Sequence, residues 1–368
     1  MKDAIAMIRP TRRSLLAGAA ASLVLPAAAH AALSPRPGPW RSFVTETRID
    51  LPGGTAPIHV WVPVPAVTEK GWAEAGAAEW SGNADRIVQG ATPDGAAFVH
   101  AVWEGGHGAP TLSVTAEAAA RDRAVDLLGP GTAAPMSAAE RARWTAPTDL
   151  IPTDGIVRDT AESIVAGVEG DLPRARAIFD WVVDNSARDP ETRGCGLGDV
   201  ASMLEMGDLS GKCADLNALF VGLARAAGLP ARDVYGLRVA ASDHGYASLG
   251  AKSADVTKAQ HCRAEIFVED HGWLPADPAD VRKVMLEEPP GNLPATHPMV
   301  LSARAALLGA WEGNWIAYNF AHDVALPGAQ DGALPLLMYP EAEIGGVRLD
   351  ALDPASFAYT ITAREVTG

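Results

Sequence analysis

Gly211-Lys212-Cys213-Ala214-Asp215-Leu216-Asn217-Ala218-Leu219-Phe220-Val221-Gly222-Leu223-Ala224-Arg225-Ala226-Ala227-Gly228-Leu229-Pro230 is the stretch that decides the fold. Apolar residues at Leu216, Leu219, Phe220, Leu223 and Ala227 recur at the spacing of one buried helix face. Gly228 relieves a left-handed cap and Pro230 prevents continuation, so the helix stops there. Cys213 falls in the first turn, where unpaired backbone N–H groups and the helix dipole favour a thiolate. The same spacing also fits a buried structural cysteine, because Cys213 shares the stripe with Leu216 and Phe220.

Working outward, Ala231–Val239 reads as a strand and a polar loop follows through Ser253. His261-Cys262-Arg263-Ala264-Glu265-Ile266-Phe267-Val268 then alternates polar and apolar residues with a period of two. Residues 269–272 make a turn, and Trp273-Leu274-Pro275-Ala276-Asp277 returns as a shorter strand ended by Pro278. Register decides which carboxylate meets His261. A three- or five-residue loop puts Asp277 on its face, and a four-residue loop favours Asp280. The types suit one chemistry. A thiol needs a base within about 3 Å. Imidazole titrates near pH 6.5, and a carboxylate on its second nitrogen fixes the tautomer and stabilises the imidazolium.

The run 211–232, His261 opening a strand, and Gly272-Trp273-Leu274-Pro275-Ala276-Asp277-Pro278 together resemble the transglutaminase-like superfamily. The resemblance spans roughly residues 171–285, about a third of the chain. It implies a papain-like α+β core in which Cys213 is the nucleophile, His261 the base and Asp277 the orienting acid. It implies thioester chemistry on amide or peptide carbonyls. Water completing the cycle gives a peptidase or amidase, which is the reading preferred here. An amine completing it gives a protein-glutamine transamidase. A binding or scaffold module retaining the fold without turnover is a third reading, and redox exchange of Cys213 with Cys195 or Cys262 a fourth. The backbone N–H of Cys213 is the expected oxyanion donor, and the second donor is unassigned. Trp181, 32 residues upstream, lies in an amphipathic helix and is read as core.

The glycine-rich run Arg193–Val200 lacks the Gly-Lys-Ser/Thr of a phosphate loop and reads as a tight turn at a cleft mouth. Cys195 could pair with Cys262, whose side chain alternation points away from the His261 face. No C-x-x-C, H-x-x-x-H or H-E-x-x-H spacing is present, so no metal or cofactor is expected. The aromatic stretch Trp311–Asp323 reads as core strand, in preference to a stacking surface for peptide or glycan beside the active site. His322-Asp323 cannot form a dyad, since neighbours in a strand face opposite sides.

Two arginines, Arg12-Arg13, precede Ser14-Leu15-Leu16, a short apolar run and Ala29-His30-Ala31. That resembles a twin-arginine export signal cleaved after Ala31, and implies a periplasmic or secreted protein with no integral membrane segment once cleaved. Losing residues 1–31 removes four basic groups and one acidic group, taking the net charge from −15 to −18. Such a charge opposes nucleic-acid binding and mildly favours cationic ligands. The expected partner is a protein or peptide substrate, cell-wall peptide included. After the signal (1–31), the expected organisation is a β-rich, sandwich-like domain (32–146), the catalytic core (147–290), and a tail (291–368) that completes or covers the core.

Overall fold

Alternation along the first part of the chain becomes paired strands. The computed structural model describes residues 32–106 and 108–366; the expected export signal lies outside them. Strands β1 (Arg41–Asp50), β2 (Ile58–Pro63), β3 (Ala73–Gly82), β4 (Arg86–Ala91), β5 (Ala97–Trp103) and β6 (Thr111–Ala120) come first. Four helices follow: α1 (Ala138–Thr145), α2 (Gly155–Val165), α3 (Asp171–Asn185) and α4 (Val200–Met206). Helix α5 (Cys213–Ala226) then leads into β7 (Ala231–Arg238), β8 (Gln260–Val268) and β9 (Gly272–Ala276). Helices α6 (Pro278–Glu287) and α7 (Pro298–Ala306) precede β10 (Trp315–Asn319). The chain finishes with β11 (Glu341–Ile344), β12 (Val347–Arg348) and β13 (Tyr359–Val366).

Three antiparallel sheets organise these elements. The core sheet runs β9-β8-β7-β10, and two further sheets run β13-β1-β6-β3 and β12-β11-β2-β5-β4. The last two face each other across Ile49, Val60, Val62, Val99, Leu112, Val114 and Phe357, all buried. Together they form a sandwich, which the sequence reading placed within residues 32–146 but whose sheets also take strands from the tail. The tail contributes to both halves. β10 extends the core sheet beside β7, while β13 pairs with β1 over eight residues and β11 pairs with β2.

Helix α5 is the centre of the core. Every residue from Cys213 to Arg225 is buried, with α2, α3 and α6 around it and β7 and β8 beneath. Leu216, Leu219, Phe220 and Leu223 are 0% exposed. Each such side chain contributes about 1.5–3 kcal/mol by leaving water. That investment in one helix holds its first turn, and hence Cys213, in a fixed place against the sheet.

Candidate active site

Cys213 is the first residue of α5, with Lys212 as its cap. Asp215, two residues further on, turns back and accepts hydrogen bonds from the N–H groups of Lys212 (2.9 Å), Leu197 (3.0 Å) and Gly198 (3.0 Å). The carboxylate thereby ties the glycine-rich loop to the helix start. The Ala214 N–H adds a fourth tie, donating to the Cys195 carbonyl at 2.8 Å. Glycine is required at 196: its φ is +91°, and a Cβ there would stand 1.8 Å from Asp215 Oδ2.

His261 lies on β8, opposite Gly236 of β7. A Cβ at 236 would meet the Trp315 ring at 2.4 Å. The missing side chain lets Trp315 lie over the strand and donate its indole N–H to the His261 carbonyl at 2.9 Å. The hairpin from β8 to β9 has a three-residue loop, Glu269–His271, closed by the pair Val268 and Gly272. That register brings Asp277 Oδ2 to His261 Nε2 at 2.8 Å, leaving Nδ1 as the nitrogen available to a thiol. Asp277 Oδ1 accepts from the Asp280 N–H at 3.0 Å as the cap of α6, and from Asn217 Nδ2 at 3.3 Å. Asn217 itself rides on α5, so one amide links the helix of Cys213 to the carboxylate of His261. Asp280 also approaches His261 Nε2, at 3.5 Å, but is held by Arg238 through two bonds of 2.6 and 2.7 Å.

Charge follows from this arrangement. Burial and the nearby Arg238 both disfavour imidazolium, yet Asp280 and Asp277 outweigh them, and His261 is raised above its ordinary value. The Cys213 thiol is held well below the usual range. Hydrogen bonds from Cys195 and Cys262 are the largest cause, burial opposes them, and His261 adds a hydrogen bond and its charge. Thiolate beside imidazolium is the state these shifts favour. Asp277 is raised, by burial first and Asp280 second, while Asp280 is lowered despite burial because Arg238 faces it.

Cys213 and His261 open onto one cleft of about 800 Å³, and Asp277 is buried behind them. Arg193, Gly194 and Cys195 of the glycine-rich run form part of its wall. All three cysteines are free and buried, with their sulfurs within 4.8 Å of one another. Strand alternation does turn Cys262 away from the His261 face, but the face it joins is the one on which α5 packs. The three thiols could hold a metal ion, as could His261, Asp277 and Asp280. Linear spacing concealed both groups, since each gathers residues from separate elements.

Gln260 was missed by sequence reasoning. It also lines the cleft, and its buried Nε2 has no hydrogen-bond partner among the described residues. Trp181 packs half-buried against the core, and Trp311, Trp315 and Tyr318 are buried. His322 meets Asp233 Oδ2 at 3.3 Å and the Tyr235 hydroxyl at 3.3 Å, away from this cleft.

Residues 158–278 match the model of the transglutaminase-like superfamily. An uncharacterised protein of Haemophilus influenzae is 39% identical over 228 residues, which span 60% of this chain and 61% of that protein, less than two thirds of its length. Among solved structures, a candidate cysteine protease from Cytophaga hutchinsonii shares the fold, with a TM-score of 0.50 at 15% identity over 89% of this chain and 99% of that one. The periplasmic domain of TgpA from Pseudomonas aeruginosa gives a TM-score of 0.35 at 14% identity, over 67% and 88% of the two chains. With its helix-borne cysteine and its histidine on the facing sheet, the segment 158–278 matches the transglutaminase-like superfamily, within an α+β chain that shares the fold of that candidate cysteine protease.

Proposed function

We propose that this chain is a thiol-dependent hydrolase of peptide or amide bonds, with Cys213 as nucleophile, His261 as acid and base, and Asp277 as the orienting carboxylate. The observation that carries the reading is the 2.8 Å bond from Asp277 to His261, beside a thiol held low at a helix N-terminus and open to a cleft. The Cys213 thiolate attacks the carbonyl carbon, and the oxyanion that forms is bound by the Cys213 N–H and Gln260 Nε2. Collapse breaks the C–N bond, and the departing amine takes the proton from imidazolium. A water molecule then gives a proton to His261 as its oxygen attacks the thioester. Collapse releases the carboxylic acid and restores the thiolate. Asp277 stays ionised and keeps Nε2 protonated throughout.

The final acceptor separates hydrolysis from transamidation, and the cleft offers a specific reason to prefer water. Its accessible carboxylates are few, so an incoming lysine ammonium finds little to hold it. A peptide library incubated with the protein, followed by intact-mass spectrometry, tests the reading. A peptide acyl group should add to wild-type chain at Cys213, and cleaved peptide should accumulate. Cys213→Ala should abolish both. Accumulation of an amine conjugate in preference to cleaved peptide would instead identify a transamidase, and neither product would favour a scaffold. Export to the periplasm, read from residues 1–31, remains part of the proposal and would place cell-wall peptide within reach.

A further inference from the structure

The cleft that reaches Cys213 carries the opposite sign to the chain that forms it. The sequence totals −15. Yet Arg188, Arg193 (paired with Asp350), Lys212, Arg238, Lys252, Lys258 and Lys283 line the cleft, against the carboxylates Asp255 and Glu287. Ion pairs neutralise part of this excess. Arg238 is taken by Asp280, and Arg188 by Glu287 at 2.5 Å, which Lys283 also approaches at 3.9 Å. No ion pair involves Lys212, Lys252 or Lys258 among the described residues, although the charge of Lys212 acts on Asp189 and that of Lys258 on Asp255; Lys252 and Lys258 are exposed. These three amines approach from two parts of the chain. Lys212 caps the helix of the nucleophile, and Lys252 and Lys258 stand on the loop between β7 and β8 that leads to His261.

A concave, partly dehydrated wall of one sign focuses potential and concentrates ligands of the other. Lys283 feels that field: burial first, and then repulsion by Arg238, push its ammonium down to about 8. The expectation from total charge, a mild attraction for cations, is therefore reversed at the site itself. We propose that the cleft selects acidic peptides, with substrate carboxylates flanking the scissile bond held by Lys212 on one side and by Lys252 and Lys258 on the other. This selection rests on the hydrolase reading above, and it names that reading's substrate class.

The test uses three dye-labelled hexapeptides of equal length, with two glutamates, two glutamines or two lysines around a central Ala-Ala bond. Wild-type chain should cleave the glutamate peptide with kcat/KM about tenfold or more above the lysine peptide at low salt, an advantage that shrinks as salt screens it. Lys252→Glu combined with Lys258→Glu should lower that value by about tenfold and the value for the glutamine peptide by much less, with an unchanged melting temperature controlling for folding. Equal cleavage of all three peptides, or preference for lysine, would overturn the inference. If no peptide is cleaved, anisotropy titrations of the Cys213→Ala chain still decide it. Tighter binding of the glutamate peptide, lost in the double lysine variant, would keep the acidic specificity while the hydrolase reading falls. Indifferent binding would sink the specificity.

Discussion

The Cys195 and Cys262 thiols and the His261 imidazole all act to hold the Cys213 thiol low, against burial. Replacing Cys195 with alanine removes the first-named donor, so the Cys213 pKa should rise in that variant. A pH titration of its alkylation by iodoacetamide measures this directly, and an unchanged midpoint would remove the thiol cluster from the account. Gln260 lends itself to a kinetic test. If its unpartnered amide binds the oxyanion, Gln260→Ala should cut kcat by about 10²-fold with little change in KM. A loss confined to KM would make Gln260 a substrate-binding residue. The sequence offered Cys195 and Cys262 only as redox partners of Cys213, and Gln260 not at all, because their approach to Cys213 depends on strands and loops distant in sequence converging. The convergence of Cys213, His261 and Asp277 was legible because the helix stripe, the alternating strand and the proline stop each point to an element that fixes one side chain.

At the scale of elements, the start of α5 depends on a loop that carries no regular structure of its own. Asp215 satisfies three backbone N–H groups, two of them from that loop. Asp215→Ala should cost roughly 2–4 kcal/mol of stability, since it strands those donors in a part-buried place. Chemical denaturation checks the loss. Cys213 alkylation should also become less selective for the low-pKa form as the loop loosens. Legibility differed between elements for physical reasons. The helix face of α5 was plain, since burial on all sides rewards a long apolar run. Strand β3, Ala73–Gly82, was not read as a strand, because it is alanine- and glutamate-rich and mostly exposed. Pairing with β6 along Ala73–Gly82 holds it despite weak strand propensity. Helix α6 was hidden by Pro278, which was read as a strand stop. It also serves as the first residue of a helix capped by Asp277.

For the whole molecule, the tail explains what segment-by-segment reading left open. Expected to complete or cover the core, residues 291–368 send β10 into the core sheet and β11 to β13 into the sandwich sheets. Which sheet a short strand joins depends on partners hundreds of residues away, and such pairings leave little trace in local pattern. The pairing of β11 with β2 buries Glu341, whose carboxyl is pushed up to about 8, chiefly by burial, with Arg348 opposing. Its folded pKa thus exceeds an unfolded value near 4.3. Between those values the folded state holds a proton that the unfolded state releases, so this group makes stability fall as pH rises through that window. Glu341→Gln should accordingly raise the melting temperature more at pH 8.5 than at pH 5. Equal shifts at both values would show that Glu341 is ionised in the fold.

The central claim is a thiolate–imidazolium pair at Cys213 and His261, and the rate of Cys213 alkylation against pH tests it most directly. Peptide mass spectrometry would follow the modification in wild type and in His261→Ala. The account predicts that wild-type Cys213 reacts with an apparent pKa well below the ordinary thiol value of about 8.5, and that the variant moves back towards it. A wild-type thiol that is inert in the folded chain, or that reacts identically in both proteins, would contradict the pair and leave Cys213 a buried structural cysteine.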